Sequence, residues 1–370
     1  MGGHPEGHGG HGRGPPPARR RLPGRMSPMS SPHLWLRHET RSTERRAPLV
    51  PHDAARLVAD GVRVTVEESP QRVFGIEAYR TGGCEVAPAG SWVDAPDDAY
   101  VLGIKELPDA PTELRHTHIF FGHAYKGQEG AGALLRRFTA GGGTLLDLEY
   151  LTVDGRRVIA FGYWAGYVGA SLGVLAARGR LEPLHPMEKA ELDALVRSAG
   201  ADGMSALVIG AQGRSGIGAL DALVAAGTVL DGWDREDTRE LDHQAILEHE
   251  LLVNCVLSTT PQEAFVRPED LDADRALRVV ADVTCDVTSE HNLVPVNTSI
   301  TSWEEPARRV ADTPALDVIA VDNLPSLLPR EASVAFSADL VPLVPSLAGR
   351  RGPWAAAAAA YRDAQTVRTA

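Results

Sequence analysis

The stretch Ala206–Gly216, ALVIGAQGRSG, constrains this chain more than any other. An apolar run suited to a buried parallel strand ends in three glycines, Gly210, Gly213 and Gly216, and passes straight into a helical pattern. Glycines at such a turn let the backbone come close to a pyrophosphate, whose charge then meets the unpaired N–H groups of the following helix. Ile217, Leu220, Leu223 and Val224 fall at helical spacing on one face, and Gly227 is placed to end the helix. A second strand over 228–233 delivers Asp234, at the distance where an acid meets ribose hydroxyls. The glycine spacing is G-x-x-G-x-x-G, not the stricter G-x-G-x-x-G, so the reading rests on strand, helix, second strand and Asp234 in register. The expectation is a dinucleotide held by a loop of Gly210, Gly213, Arg214, Ser215 and Gly216. Asp234 would repel a 2′-phosphate, which favours NAD over NADP, and Arg235 beside it weakens that preference.

The rest of the chain agrees with a doubly wound α/β fold. Strands are expected at 34–40, 62–68, 100–105, 117–123 and 144–148, with helices at 53–59 and 131–139 between them. Such alternation implies a parallel sheet with helices on both faces, and so a second Rossmann-like unit ahead of the first. Beyond the glycine loop, LLVNCVL and RVVADVT read as strands, with Asp282 and Asp286 at or past the end of the latter, where open α/β sheets bind ligands. VIAVDNLPSLLPREAS reads as a return crossing, and an Ala-rich helix over 353–364 can dock back on the first unit. The uncharged run VIAFGYWAGYVGASLGVLAA is nearly long enough to span a bilayer. Gly162, Gly166, Gly169 and Gly173 on one helical face suit either a membrane dimerisation helix or one packed closely in a soluble core. The scarcity of Leu and Ile and the position inside an α/β chain point to the latter, as a helix bridging two domains.

With 370 residues and 43% apolar content the chain can build two cores, and a formal net charge of −12 argues against nucleic acid as a partner. Three scattered cysteines, Cys84, Cys255 and Cys285, imply no disulfide framework and suit a reducing, cytoplasmic setting. Residues 1–32, rich in Gly, Pro, His and Arg, read as a disordered tail, with His4, His8 and His11 as low-complexity composition and Met26 or Met29 as an alternative start.

Reactive side chains gather in the first half, in GIKELP and HTHIFFGHAYKGQ. A lysine leaving a buried strand beside an apolar wall, here Lys105, can have its pKa lowered and act as a base, and histidine needs no such help. From spacing alone the plainer reading has Lys105 paired with an acid and His123 filling a loop. His116 and His118 would share a strand face, but no third ligand is clearly placed, so no metal is expected.

Taken together, RHETRSTERRAPLVP, VEESPQRVFG, GIKELP, HIFFGHAYKGQ, LLDLEYL, GRRVIAFGYWAGYVGA, GAQGRSG and DNLPSLLPREAS resemble, in order and spacing, the NAD-dependent, lysine-forming saccharopine dehydrogenase family, related to alanine dehydrogenase and transhydrogenase. The resemblance implies two Rossmann-like domains with a cleft between them. One would be a discontinuous substrate domain of 33–160 and 328–370, and the other an NAD-binding domain of 161–327. It implies Lys105 and His123 as the acid–base pair, and Arg46, Lys126, Gln128, Arg157 and Phe161 against the substrate. Glu106 and Glu149 would be acids that keep Lys105 basic, and Arg156, Asp234 and Asp322 would lie on the cofactor side. Ser215 and Asn323 stand where relatives vary, away from the chemistry. The implied reaction turns saccharopine, NAD and water into lysine, 2-oxoglutarate and NADH, by amine deprotonation, hydride transfer and imine hydrolysis. Neighbouring readings are a relative joining another amine or ammonia to a 2-oxo acid, and a non-catalytic NAD-binding protein. Monomer and homodimer both fit, and no membrane partner is implied.

Overall fold

The computed structural model describes residues 1–3, 31–126, 128 and 130–369; the expected tail and its histidines lie almost wholly outside them. In the first half, β1 (His33–Leu36), β2 (Arg63–Glu67), β3 (Glu85–Ala87), β4 (Ala99–Leu102), β5 (Thr117–Phe120) and β6 (Thr144–Asp147) form one parallel sheet, ordered β3-β2-β1-β4-β5-β6. The helices α1 (Pro51–Ala59), α2 (Ile76–Thr81) and α3 (Ala131–Gly141) connect its strands. Successive side chains of a strand point to opposite faces, and both faces here are covered. One packs Leu34, Leu36, Val64, Val66, Leu102 and Ile119 against Leu57 of α1. The other packs Val101, Phe120 and Leu145 against Trp92 and Phe138.

His118 lies on that second face. It is fully buried, edge-on to Trp92 at 5.1 Å and to Phe138 at 5.4 Å, and neither ring nitrogen has a hydrogen-bond partner. Burial, then the nearby Arg37, hold its pKa well below the ordinary 6.5. The unfolded chain therefore takes up a proton that the folded chain refuses, and stability falls as pH drops through 6.5 and below. His118→Leu is expected to add about 1–3 kcal/mol by removing unpaired polar atoms, with a gain in Tm larger at about pH 5 than at neutrality. An equal or lower Tm at both values would contradict this account. His116, on the same face, is satisfied by the carbonyl of Ala95, 2.9 Å from its Nε2.

A short hairpin, β7 (Thr152–Val153) and β8 (Arg156–Arg157), leads into α4 (Gly162–Ala177). No described helix is long and apolar enough to cross a membrane. The expected bridge is in fact the central helix of the second core, where its glycines admit backbone and side chains from several directions. A Cβ at Gly166 would lie 1.7 Å from the carbonyl oxygen of Ser215, and one at Gly173 would lie 2.7 Å from Leu251.

The second sheet follows. The elements α5 (Lys189–Ala199), β9 (Ser205–Ile209), α6 (Arg214–Ala226), β10 (Val229–Trp233), α7 (His243–Leu247), β11 (Leu251–Asn254), β12 (Val279–Asp282), β13 (Arg308–Asp312) and β14 (Ala315–Ile319) give the strand order β10-β9-β11-β12-β14-β13. All its pairs are parallel except β13 with β14. Gly227 ends α6 in the left-handed region, at φ 78°, as its position predicts. The chain then returns through α8 (Pro329–Leu340), α9 (Val344–Leu347) and α10 (Pro353–Thr369). Phe336, Leu340, Val344, Leu347, Trp354, Ala357 and Ala358 complete the first sheet's core.

Candidate active site

In each sheet the chain leaves one strand to opposite sides, and the crevice beyond the strand ends at that reversal is where such folds bind ligands. In the first sheet the crevice lies past β1 and β4, and Lys105 stands in the turn that follows β4. Around it stand Arg41, Glu44 and Arg46 from the segment after β1, Glu106, and Asp322 from the returning chain. Arg46 is buried. Its Nε and Nη2 donate to the Glu44 carboxylate at 2.8 and 2.6 Å, Nη2 also donates to Asn323 Oδ1 at 2.6 Å, and the guanidinium lies 4.1 Å over Phe161. Phe161 in turn stacks on Phe336 at 4.6 Å.

Burial, and next the charge of Arg46, lower the pKa of Lys105 below 10.5, while Asp322 and Glu44 pull it upward. Of the two acids expected to keep Lys105 basic, Glu106 does interact with its charge. Glu106 turns outward to pair with Arg41, and Glu149 belongs to a separate cluster. Burial alone would raise the Glu44 carboxyl, but its contacts with Arg46 outweigh that and hold it below its usual value.

The separate cluster grows from the end of β6. The Asp147 side chain accepts the Glu149 N–H at 2.9 Å and starts a tight turn. Glu149 Oε1 meets Lys126 Nζ at 3.0 Å and Arg157 Nη2 at 3.3 Å, and Oε2 lies 3.5 Å from His123 Nδ1. The hydrogen bond from His123 comes first in lowering the Glu149 pKa to about 2, against burial, with Lys126 and Arg157 adding to it. The Glu149 side chain is only 11% exposed, whereas those of His123, Lys126 and Arg157 are 57, 60 and 44% exposed, so the positive groups face solvent. Two cations on one carboxylate leave a surplus charge of one for an incoming anion. Burial pushes Asp147 the other way, to about 6. Gln128 Oε1 accepts the Lys126 N–H at 2.8 Å. The expected strand to His123 stops at Phe120, and His123 has φ 47° in the loop beyond. Phe121 joins the two groups: it stacks on His123, lies 6.2 Å from Phe161, and donates its N–H to the Ile104 carbonyl at 3.2 Å.

In the second sheet the reversal lies at β9, and its crevice holds the glycine loop. Gly210 has φ 89°, and a Cβ there would press on Val256 at 2.8 Å. Gly213 is the N-cap of α6, and a Cβ at Gly216 would strike the Gly210 carbonyl oxygen at 2.1 Å. A cavity of about 610 Å³ lies at the N-cap of α6, lined by Gly210, Gln212, Gly213, Asp234 and Arg235. Asp234 accepts from Gln212 Nε2 and, at 2.8 Å, from the Glu236 N–H. This cradle of bare backbone, helix N-terminus and acid fits an adenine dinucleotide. Arg214 and Ser215 do not face that cavity through the contacts they make. Arg214 Nη2 donates to the carbonyls of Arg157 and Val158 at 2.9 and 3.3 Å, and Ser215 underlies α4. Arg156 is exposed on β8, and Asp322 acts on Lys105, Arg41 and Cys285.

Residues 35–168 match the alanine dehydrogenase/PNT N-terminal domain family. The chain is 41% identical over 342 residues to saccharopine dehydrogenase [NAD(+), L-lysine-forming] of Schizosaccharomyces pombe, covering 85% of this chain and 92% of that one. It is 42% identical to the enzyme of the same name from Neurospora crassa, covering 84 and 89%. The chain belongs to the saccharopine dehydrogenase family. Outside this family, a solved L-alanine dehydrogenase superposes with a TM-score of 0.64 at 18% identity, covering 89% of this chain and 93% of that one. A transhydrogenase from Sinorhizobium meliloti gives 0.61 at 16%, covering 86 and 95%. These two likenesses speak for the fold alone.

Two residues of this saccharopine dehydrogenase family member escaped the sequence reading. Glu44 carried no signal beyond its place in a charged turn. Asn323, expected away from the chemistry, bonds Arg46 from the left-handed region at φ 69°. Its place before the Leu-Pro-Ser-Leu turn hinted at a special backbone, but not at a partner 277 positions away.

Proposed function

We propose that the protein interconverts saccharopine with lysine and 2-oxoglutarate, using NAD, with Lys105 and His123 as the acid–base pair. The observation that carries this is the half-buried lysine at the strand reversal, its pKa pulled below 10.5 yet opposed by Asp322 and Glu44. Such a lysine can take a proton from the secondary amine of saccharopine and still hold it. NAD held at the loop of Gly210, Gly213 and Gly216 would supply the acceptor for the hydride from the glutamyl carbon. His123, its Nδ1 turned to ionised Glu149, keeps Nε2 free to take a proton from the water that adds to the imine. Arg46 already holds Glu44 and Asn323, so Lys126 and Arg157, with Gln128 beside them, supply the positive charge that the substrate carboxylates demand. Phe161 forms an apolar wall.

In this reading 33–160 with 328–370 make the substrate domain and 161–327 the NAD domain, since the returning helices pack on the first core and α4 on the second. The free cysteines favour the cytoplasm. The test follows NADH absorbance with lysine and 2-oxoglutarate, and in parallel with ornithine or with ammonia and pyruvate. Oxidation with lysine alone is expected; oxidation only with another amine would move the enzyme to a neighbouring substrate. Cofactor choice gives a second check. Asp234→Ser removes the acid placed for the ribose hydroxyls. It is expected to raise the KM for NAD about tenfold and to narrow its lead over NADP, read from kcat/KM for each.

A further inference from the structure

We infer that Glu39, with Arg37, is a positioning residue that sets where Lys105 stands, an inference that rests on the acid–base role proposed for Lys105. The two residues follow β1, and the Ile104–Lys105–Glu106 turn follows its neighbour β4. Glu39 Oε1 accepts the Ile104 N–H at 2.6 Å, and Oε2 accepts the Lys105 N–H at 3.1 Å. Arg37 Nη2 donates to the Lys105 carbonyl and, at 3.4 Å, to that of Glu106. Both peptide groups that flank the Lys105 Cα are therefore held by one ion pair, closed by Arg37 Nη1 and Glu39 Oε2 at 3.3 Å. The side chains of this pair are 1 and 6% exposed, so water does not compete for these bonds. Room for the pair depends on Gly103, where a Cβ would lie 2.3 Å from Arg37 Nε.

The chemistry of the clamp is specific. Two N–H groups side by side call for a group that only accepts, and a carboxylate supplies two such oxygens. Burial raises the Glu39 pKa, while the buried Arg37 and the Ile104 and Lys105 N–H groups act against that rise. Neither residue reaches the cleft through these contacts, so the pair acts through the Lys105 backbone. A shift of about 1 Å in a reacting group can cost about 10²-fold in rate.

Glu39→Asp keeps the charge beside Arg37 but withdraws it by one methylene, out of reach of both N–H groups. It is expected to lower kcat about 10- to 100-fold with NADH affinity unchanged. Its lysine limb in the pH–rate profile should move upward towards 10.5, as Lys105 leaves its buried position. In a Lys105→Met background the same substitution should change the residual rate by less than about twofold. An equal loss in both backgrounds, or no loss in either, overturns the positioning role. Lys105→Met at the unaltered rate would instead remove the role of Lys105 itself. Glu39→Gln, which keeps the length and loses one acceptor, repeats the comparison should the aspartate variant not fold.

Discussion

Lys105→Met is expected to slow saccharopine oxidation about 10²-fold or more, with NADH affinity nearly unchanged. Methionine fills a similar volume and cannot carry the proton. Burial and Arg46 lower the lysine pKa, so the neutral form becomes available at lower pH than for a free lysine. In the oxidative direction the base must be neutral. The rate of the unaltered enzyme should therefore rise with pH through a limb below 10.5, and that limb should vanish in the variant. Separate titration of NADH fluorescence checks the cofactor cavity, which lies against a different sheet. Unaltered turnover, or a retained limb, would remove Lys105 from the mechanism.

Gly166→Ala should destabilise the protein by about 3 kcal/mol or more and weaken NADH binding about tenfold. Here α4 crosses α6 at backbone distance. A Cβ at Gly166 would lie 1.7 Å from the Ser215 carbonyl oxygen, and from the other side a Cβ at Gly218 would lie 1.9 Å from that of Tyr163. Neither obstacle is a side chain that can rotate away, so one helix must move. Either way the α4–α6 contact opens, and α6 carries the glycine loop at its N-terminus, so cofactor affinity and Tm should fall together. Gly75→Ala is the control. Gly75 has φ −64°, and no atom within 4 Å would meet its Cβ, so Tm should stay put. Unaltered Tm and NADH affinity in Gly166→Ala would mean that the helices can part without cost.

The features legible in the sequence were those set by local chemistry. The run from Ala206 to Asp234 combines a buried strand, glycines and a helix period in one window, and its elements lie where that pattern puts them. Strand ends were less legible. The expected strands over 34–40, 100–105 and 117–123 each stop early, at Leu36, Leu102 and Phe120. Past Gly103 the N–H groups of Ile104 and Lys105 and the carbonyls of Lys105 and Glu106 bond to the side chains of Glu39 and Arg37, and apolar patterning cannot register that exchange. The edge strand β13, with Arg308, Arg309 and Asp312 in five residues, and the helix α5, which buries only Leu192 and Val196, carry too little apolar patterning to be read from the sequence. At the site, the types Lys105, His123 and Glu149 could be read in advance, but their partners could not. Glu44, Asp322 and Asn323 reach Lys105 or Arg46 through folding of distant segments, and only the three-dimensional arrangement shows which acid faces which base.

The order in which the two cores close has a consequence for a chain that emerges from the ribosome N-terminus first. Every side chain of the second sheet's two cores lies within one uninterrupted stretch, from Tyr163 to Leu328. The first sheet, although its strands are made earlier, lacks Phe336, Leu340, Trp354 and Ala357 until the last residues appear. Synthesis thus finishes the later half before the earlier one. Until then the β1–β6 sheet presents an uncovered apolar face. A frameshift or early stop near residues 336–357 would strike the half that bears Lys105 and leave the half that bears the glycine loop intact.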